Sequence, residues 1–299
     1  MQLSQDDSDT ILVWLYLLME KFFAQTELSL YTERFSNNRL PYFTDAELYT
    51  SAIFPILMNY TNKKHGYRYL RRHYRPWFPA LPSYEVWNRR LNRDPEALHY
   101  IYSLVLRYLA PSQRAHQFAI DTLPVAVCQE QHASRSKAAQ PFASKGYCAA
   151  KKRYYIGAKV QLLAGYRDQG LPLPAGYIIA TAKDHDLTIA KDSITELSGV
   201  DLYGDKAFCD RPWQLDLFDQ DTTLVVPIKQ KKNGPPLGLF DRAYNALHSA
   251  KKQPMESLIA WINDKTRIED ASKVRSVNGL FTHVALKMIA ALIMLLINF

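Results

Sequence analysis

The chain has 299 residues, of which 47% are hydrophobic and 22% are charged, and its formal net charge is +8. This composition supports a sizeable core, which excludes a chain without a fold, and the length suits one large domain beside a smaller one. A positive charge of this size favours a polyanionic partner and says nothing about the fold.

The first residues and the cysteines bear on the compartment. Asp6, Asp7 and Asp9 make the N-terminus acidic where a secretory signal is basic, so we predict no signal. The cysteines are far apart and odd in number, and no Cys/His spacing typical of a metal site is present, which predicts reduced thiols in a cytosol. They are Cys128, Cys148 and Cys209.

Helix signals fill the chain up to about residue 112. Thr44 and Glu47 have the spacing of a capping box, and Ser83 and Asp94, the latter followed by Pro95, can begin further helices. The predicted helices span residues 11–23, 44–58 and 63–74, then one from 83 and one from 94 to 109. We therefore predict an all-α N-terminal domain over residues 1–112, with room for a helix-turn-helix.

Basic residues are concentrated in the middle of this domain, with aromatic residues interleaved and a single acid, Glu85, among them. Positive charge beside flat rings suits a DNA backbone, and we predict contacts from Arg71, Arg72 and Arg75. The alternative is a solvated basic face over an aromatic core. The basic residues are Lys63, Lys64, Arg68, Arg71, Arg72, Arg75, Arg89, Arg90 and Arg93.

Strand and helix patterns alternate from about residue 113 onward. Strands are predicted at 117–128, 154–165, 177–182, 200–208 and 222–228, and helices at 187–197, 213–218, 240–265 and 277–299. A polar, basic connection is predicted for residues 130–159. This order predicts a mixed α/β sheet compatible with an RNase H-like domain over residues 113–299. The last helix is predicted to be buried and not to cross a membrane, because its apolar run is short and carries Lys287.

Three acids in this second part form a candidate metal site. Asp121 lies inside an apolar strand, where an unpaired carboxylate costs several kcal/mol unless hydrogen bonds or a metal offset the cost. Asp205 follows Gly204, whose missing side chain would let a phosphate or ion approach. Glu256 lies on a helix that can pack against the sheet. Converging carboxylates predict a Mg²⁺ site, and two such ions suit an in-line displacement.

Each acid also has a structural alternative. Asp121 can cap the turn that follows it, and Asp205 can pair with Lys206. Glu256 can be a solvated helix acid, and its rivals for the third position are Asp264, Glu269 and Asp270.

A second polar cluster precedes the helix predicted at 187–197. Asp186 can be the N-cap of that helix, while His185 can hold a water or phosphate near the metals. Asp184 is the main rival to Asp205. The run Lys151, Lys152 and Arg153 is either solvated or holds DNA phosphates beside a metal centre.

Together these stretches resemble the DDE transposases of bacterial insertion sequences. The matching segments are 43–48, 71–79, 118–128, 203–207 and 255–275. The resemblance implies an RNase H-like fold and identifies Asp121, Asp205 and Glu256 as catalytic acids that bind Mg²⁺ or Mn²⁺. It implies that water cuts DNA at the element ends and that the freed 3′-OH attacks target DNA. The expected setting is the bacterial cytoplasm at the nucleoid, without a membrane, and a homodimer on DNA is compatible with it.

One motif departs from that family. Related transposases place Tyr and Arg seven and four residues before the Glu, and Lys seven after it, whereas this chain has Ser249, Lys252 and Asn263 there. Lys252 can replace the Arg, and Lys265 is a candidate for the later Lys. We include Lys206 and Lys252 among the predicted DNA contacts. The competing functions are a metal-dependent nuclease without strand transfer and a DNA-binding protein that has lost catalysis.

Overall fold

A computed structural model describes residues 5–33, 41–111, 115–129, 131, 137–148, 151–194, 197–230 and 234–297. The chain divides by its contacts into two compact units. Unit 1 comprises Met1–Pro111, Asp264–Ile268 and Val274–Phe299, and unit 2 comprises Ser112–Asn263 and Glu269–Lys273. The boundary predicted between residues 112 and 113 lies outside the described residues.

Helices come first along the chain, followed by four strands, then by helices and strands in alternation, and by two final helices. The first helices are α1 (Gln5–Gln25), α2 (Leu28–Tyr31), α3 (Asp45–Leu57), α4 (Lys63–His73), α5 (Tyr84–Leu91) and α6 (Pro95–Leu109). The next elements are β1 (Gln117–Gln129), β2 (Ser144–Cys148), β3 (Arg153–Gly165), β4 (Leu173–Thr181) and α7 (Asp186–Ser193). The last are β5 (Val200–Tyr203), α8 (Arg211–Asp219), β6 (Thr222–Val225), α9 (Leu239–Thr266) and α10 (Val277–Ile297).

The helix starts of unit 1 follow the predicted caps. Thr44 Oγ1 accepts a hydrogen bond from Glu47 N at 3.1 Å, and Glu47 Oε2 accepts one from Thr44 N, which completes the capping box. Ser83 caps α5 through Val86 N. Asp94 precedes α6 without a side-chain cap bond, and Pro95 occupies the first turn instead.

Helix α10 is apolar on all sides and is buried within unit 1, where it packs against α3 and α6. By length and composition it could span a membrane, but 83% of its apolar window is buried in the protein. This confirms the prediction of a buried helix. Its partners differ from the predicted organisation, because residues 113–299 were expected to form one domain and α10 groups with the N-terminal helices. A helix without a polar face needs neighbours on several sides, and two helices supply them.

The sheet of unit 2 has six strands in the order β2-β3-β1-β5-β6, and β4 also pairs with β3. Strand β1 is antiparallel to β3 and parallel to β5, and β5 is parallel to β6. The outer edge of β3 is shared, because β2 pairs with its first half and β4 with its second half. Unit 2 is therefore a mixed α/β structure.

Two predictions of local structure in unit 2 were wrong. Strand β2 lies inside the segment that was predicted to be a connection. The strand predicted over 200–208 ends at Tyr203, and Lys206–Phe208 forms a 3₁₀ turn. The strand ends there because Asp205 accepts a hydrogen bond from Ala207 N and so caps the turn.

Candidate active site

Asp121 and Asp205 lie at the same level of the sheet. In the parallel pair β1–β5, Gln117 is opposite Asp201 and Ala119 is opposite Tyr203. The same offset relates Asp121 to Asp205, which follows the end of β5. The two carboxylates therefore lie near one another just past the end of β5, and we call this region, with Asp186, the acidic edge.

The carboxyl of Asp205 lies in an unfavourable environment for its charge. Desolvation by the surrounding protein raises its pKa, and the carboxylates of Asp121 and Asp186 raise it further. The Ala207 N–H and the cation of Lys252 act in the opposite direction. Asp205 therefore interacts electrostatically with two other carboxylates and one ammonium group, so three acids share this region.

Asp121 is held by a buried lysine. Lys252 Nζ donates to Asp121 Oδ2 at 3.1 Å and to Ile120 O at 2.8 Å, and Thr122 N donates to Asp121 Oδ1 at 2.8 Å. The Lys252 side chain is 6% exposed and that of Asp121 is 22% exposed. The burial cost of Asp121 is therefore offset by hydrogen bonds and by a cation of the chain itself. This corrects the prediction that Lys252 contacts DNA, because its ammonium group is buried.

Glu256 lies one helical turn after Lys252 on α9 and is exposed, while Met255 and Leu258 beside it are fully buried. Residues four apart share a helix face, so Glu256 belongs to the face that reaches Asp121. Within the described ranges, however, no three acids, histidines or cysteines are gathered closely enough to hold a metal ion. The predicted close convergence of three carboxylates is therefore absent here: Lys252 neutralises Asp121, and Glu256 is solvated.

The donor chemistry of this edge nevertheless fits a divalent cation. Mg²⁺ takes oxygen ligands, commonly one or two carboxylates from the protein. Asp121 in β1 and Asp205 just after β5 supply two carboxylates, and the charge of Asp121 adds to desolvation in raising the pKa of Asp205. A divalent cation would be attracted to both carboxylates.

Asp186 is a residue of this edge that sequence reasoning assigned only to capping. Its Oδ2 accepts from Thr122 Oγ1 at 3.1 Å and its Oδ1 from Lys159 Nζ at 2.7 Å. Its backbone carbonyl accepts from Gln161 Nε2 at 2.9 Å. Because Thr122 follows Asp121, these bonds attach the start of α7 to the acidic edge. The Asp-His-Asp pattern before a helix was the available signal, but it did not tell the two aspartates apart.

The neighbours of Asp186 have structural roles in the described contacts. His185, which was predicted as an accessory residue, is exposed and caps α7, with its Nδ1 accepting from Leu187 N at 3.3 Å. This corrects the expectation that Asp186 is the cap. Asp184 Oδ2 accepts from Thr181 N at 3.0 Å and closes the turn after β4, so Asp184 is not placed as a rival to Asp205.

Gly204 makes room for protein and not for a ligand. A Cβ at this position would lie 3.0 Å from the Phe208 side chain, which packs in the core below. The Gly204 carbonyl contacts His248 Nε2 at 2.9 Å. Burial lowers the pKa of His248, which favours the neutral ring. The expectation that a missing side chain admits a phosphate is thereby corrected.

The basic residues of unit 2 fall into two groups. Lys151 forms an ion pair with Glu269, so the carboxylate of this rival to Glu256 already has a partner. Lys152, Arg153 and Lys206 are exposed, as DNA contacts require.

The basic cluster of unit 1 is likewise divided. Arg71, Arg72 and Arg75 are exposed, although Arg75 Nη1 donates to Leu81 O at 2.9 Å. Other members serve the fold: Lys63 bonds Asn88 and Asn92, Arg90 pairs with Asp45, and Arg93 pairs with Asp94. The interleaved rings include buried Tyr67 and Trp87, so an aromatic core does lie under the exposed arginines.

Comparison with known proteins gives one match. Residues 113–293, more than half of the chain, match the family model described as "Transposase DDE domain". No curated protein matches, and no solved structure does.

Proposed function

Because the chain belongs to the transposase DDE domain family, we propose that it cuts DNA at the ends of a bacterial insertion sequence and joins the freed 3′ ends to target DNA. The observation that carries the proposal is the placement of Asp121 and Asp205 at one level of adjacent parallel strands inside the matched domain. The protein would act on the nucleoid in the cytoplasm, and a homodimer on DNA would let each copy handle one end.

Asp121 and Asp205 would hold the divalent ion, Mg²⁺ or Mn²⁺, and Glu256 would be the third acid. Bound there, one or two such ions would supply charge stabilisation for the attacking and leaving oxygens of a phosphodiester. Glu256 lies on the helical turn after Lys252, which is the part of α9 that is joined to Asp121 of β1.

Lys252 is proposed as a positioning residue. It joins α9 to β1 through Ile120 O and Asp121, and so fixes where along the sheet Glu256 lies. Its position four residues before Glu256 is the one at which related transposases have Arg, and both residues provide a cation there.

Two further features of the organisation support this function. The order of four strands joined by antiparallel pairing, β1 to β4, then helix, strand, helix and strand, supports the RNase H-like arrangement that we propose for the catalytic domain. The helices that precede it expose Arg71, Arg72 and Arg75, which suits the proposed DNA-binding role of the N-terminal part.

The experiment is an assay of the purified chain on a supercoiled plasmid that carries the inverted repeats flanking its gene. We expect Mg²⁺- or Mn²⁺-dependent nicks at the repeat ends and, with target DNA added, joined products. Nicks without joined products would favour the nuclease function, and binding without nicks would favour the DNA-binding protein.

A further inference from the structure

The hairpin of β2 and β3 carries two exposed tyrosines that the proposed active site does not use. Tyr147 and Tyr154 are opposite one another, so their side chains lie on the same face, with ring centroids 4.9 Å apart. They are 54% and 47% exposed. Two such rings side by side present a flat apolar surface with polar tips, which can meet a partner.

A cation lies over one of these rings, and two more are exposed nearby in the chain. Lys145, two residues before Tyr147 and on the same face, has its Nζ 4.4 Å from the centroid of the Tyr154 ring. Lys152 and Arg153 are exposed where β3 begins. We name the set Lys145, Tyr147, Lys152, Arg153 and Tyr154 the hairpin end.

The hairpin end has a packed support. On the opposite face, a Cβ at Gly146 would lie 2.8 Å from Ala182 Cβ and 3.0 Å from the Tyr155 ring, so β2 lies directly on its neighbours. Lys151 pairs with Glu269, which holds the chain just before β3. The tyrosines are therefore presented on a fixed surface, and their exposure is a property of the fold.

We propose that the hairpin end binds single-stranded DNA, with the tyrosine rings stacked on bases and the cations on phosphates. Both parts of this chemistry are present: positive charge that follows a backbone, and aromatic faces on which bases stack. In intact duplex each base already has its faces covered by its neighbours, so a duplex would use the cations but not the rings. The proposal rests on the proposed function only in taking DNA as the substrate.

The position of the hairpin suits a strand that leaves the cut. Asp121 is opposite Leu162 of β3, and Tyr154 lies eight residues earlier on the same strand. At about 3.3 Å per residue, these eight residues span about 26 Å along the strand. This corresponds to roughly eight nucleotides of a strand at 3.4 Å each. A short unpaired end would therefore reach from the acidic edge to the rings.

The test compares full-length variants for binding to oligothymidine of about 30 nucleotides and to a random duplex of the same length, by fluorescence anisotropy. For Tyr147→Ala with Tyr154→Ala we expect about tenfold weaker binding of oligothymidine and less than a twofold change for the duplex. The matched Tyr147→Phe, Tyr154→Phe variant keeps both rings and should bind both DNAs within about twofold of the parent. Equal losses on both DNAs, or no loss on oligothymidine, would overturn the proposal.

A second measurement uses the unaltered protein and so does not depend on the folding of a variant. Oligothymidine with bromodeoxyuridine in place of thymidine is crosslinked by light, and the attached peptides are mapped. Crosslinks within residues 145–154 are expected, and crosslinks confined to other segments would contradict the proposal. Nicking by the parent is measured separately. If the alanine variant loses binding to oligothymidine but not to duplex, and the parent nicks no DNA, the hairpin end stays a DNA-binding surface and the transposase activity is rejected.

Discussion

The contact between Lys252 and Asp121 illustrates how a single residue decides the environment of a buried acid. Lys252 is nearly inaccessible to solvent and has two oxygen partners, Ile120 O and Asp121 Oδ2. Removing one partner of such a pair leaves the other polar group buried without compensation, whereas removing both costs much less.

A double-mutant cycle tests this coupling. Asp121→Asn and Lys252→Met should each lower the free energy of unfolding by about 1–3 kcal/mol, because each leaves a polar partner without its hydrogen bond. The loss is smaller than for a fully buried pair, because the Asp121 side chain is 22% exposed. The double variant should lose clearly less than the sum of the two. Urea unfolding of the four proteins provides the comparison, and additive losses would show that the two side chains do not interact.

Lys63 gives a prediction about pH. Burial lowers its pKa to about 8. In the unfolded chain a lysine titrates near 10.4, so between these values the unfolded state binds more protons and the stability contributed by Lys63 rises with pH. The unfolding free energy of the parent minus that of Lys63→Met should increase by about 1–3 kcal/mol between about pH 8 and pH 10.4. A difference that stays constant over this window would mean that Lys63 is well solvated.

At the scale of elements, the exposed end of α4 is the proposed DNA contact of unit 1. Arg71→Ala with Arg72→Ala should weaken binding to duplex DNA and reduce the slope of log affinity against log salt by up to about 1.8, because two phosphate contacts no longer release counterions. Arg107 on α6 is an exposed arginine outside the cluster and serves as the control. If Arg107→Ala reduces the slope as much, the cluster contributes net charge and not contacts.

Elements with a strong local signal were predictable from the sequence. The capping box of Thr44 and Glu47 located α3, and the apolar run around Asp121 located β1, because both depend on neighbours in the sequence. Strand β2 has five residues including Lys145 and Gly146, and among the described residues it pairs with the outer edge of β3. Its formation depends on a partner strand, which no local pattern reports.

The candidate site was predictable in part for the same reason. The equal offset of β1 and β5 brings Asp121 and Asp205 to one level, and an apolar strand that contains an acid and a second that comes before one were visible in the sequence. The pairing of Lys252 with Asp121 and that of Asp186 with Thr122 depend on how α9 and α7 pack on the sheet. Such contacts join residues that are distant in the chain, and residue type alone does not select them.

At the scale of the whole molecule, the sequence order does not coincide with the compact units. Helix α10 follows the elements of unit 2 in the chain but packs with α3 and α6. A fragment beginning at residue 113 and ending at 299 should therefore expose the apolar faces of α10 and aggregate, while one ending at 273 should stay more soluble. Light scattering of the two fragments checks this, and equal solubility would argue against the observed packing.

The central claim is that the acidic edge catalyses DNA cleavage while DNA binding depends on other residues. The most direct measurement scores one preparation of Asp121→Asn for both gel-shift binding to element-end DNA and Mg²⁺-dependent nicking. Asp184→Asn is the matched control, because the Asp184 carboxylate closes a turn through Thr181 N. We expect Asp121→Asn to bind DNA and lose nicking by at least about a hundredfold, and Asp184→Asn to keep both activities. Retained nicking by folded Asp121→Asn, or its loss in folded Asp184→Asn, would contradict the account.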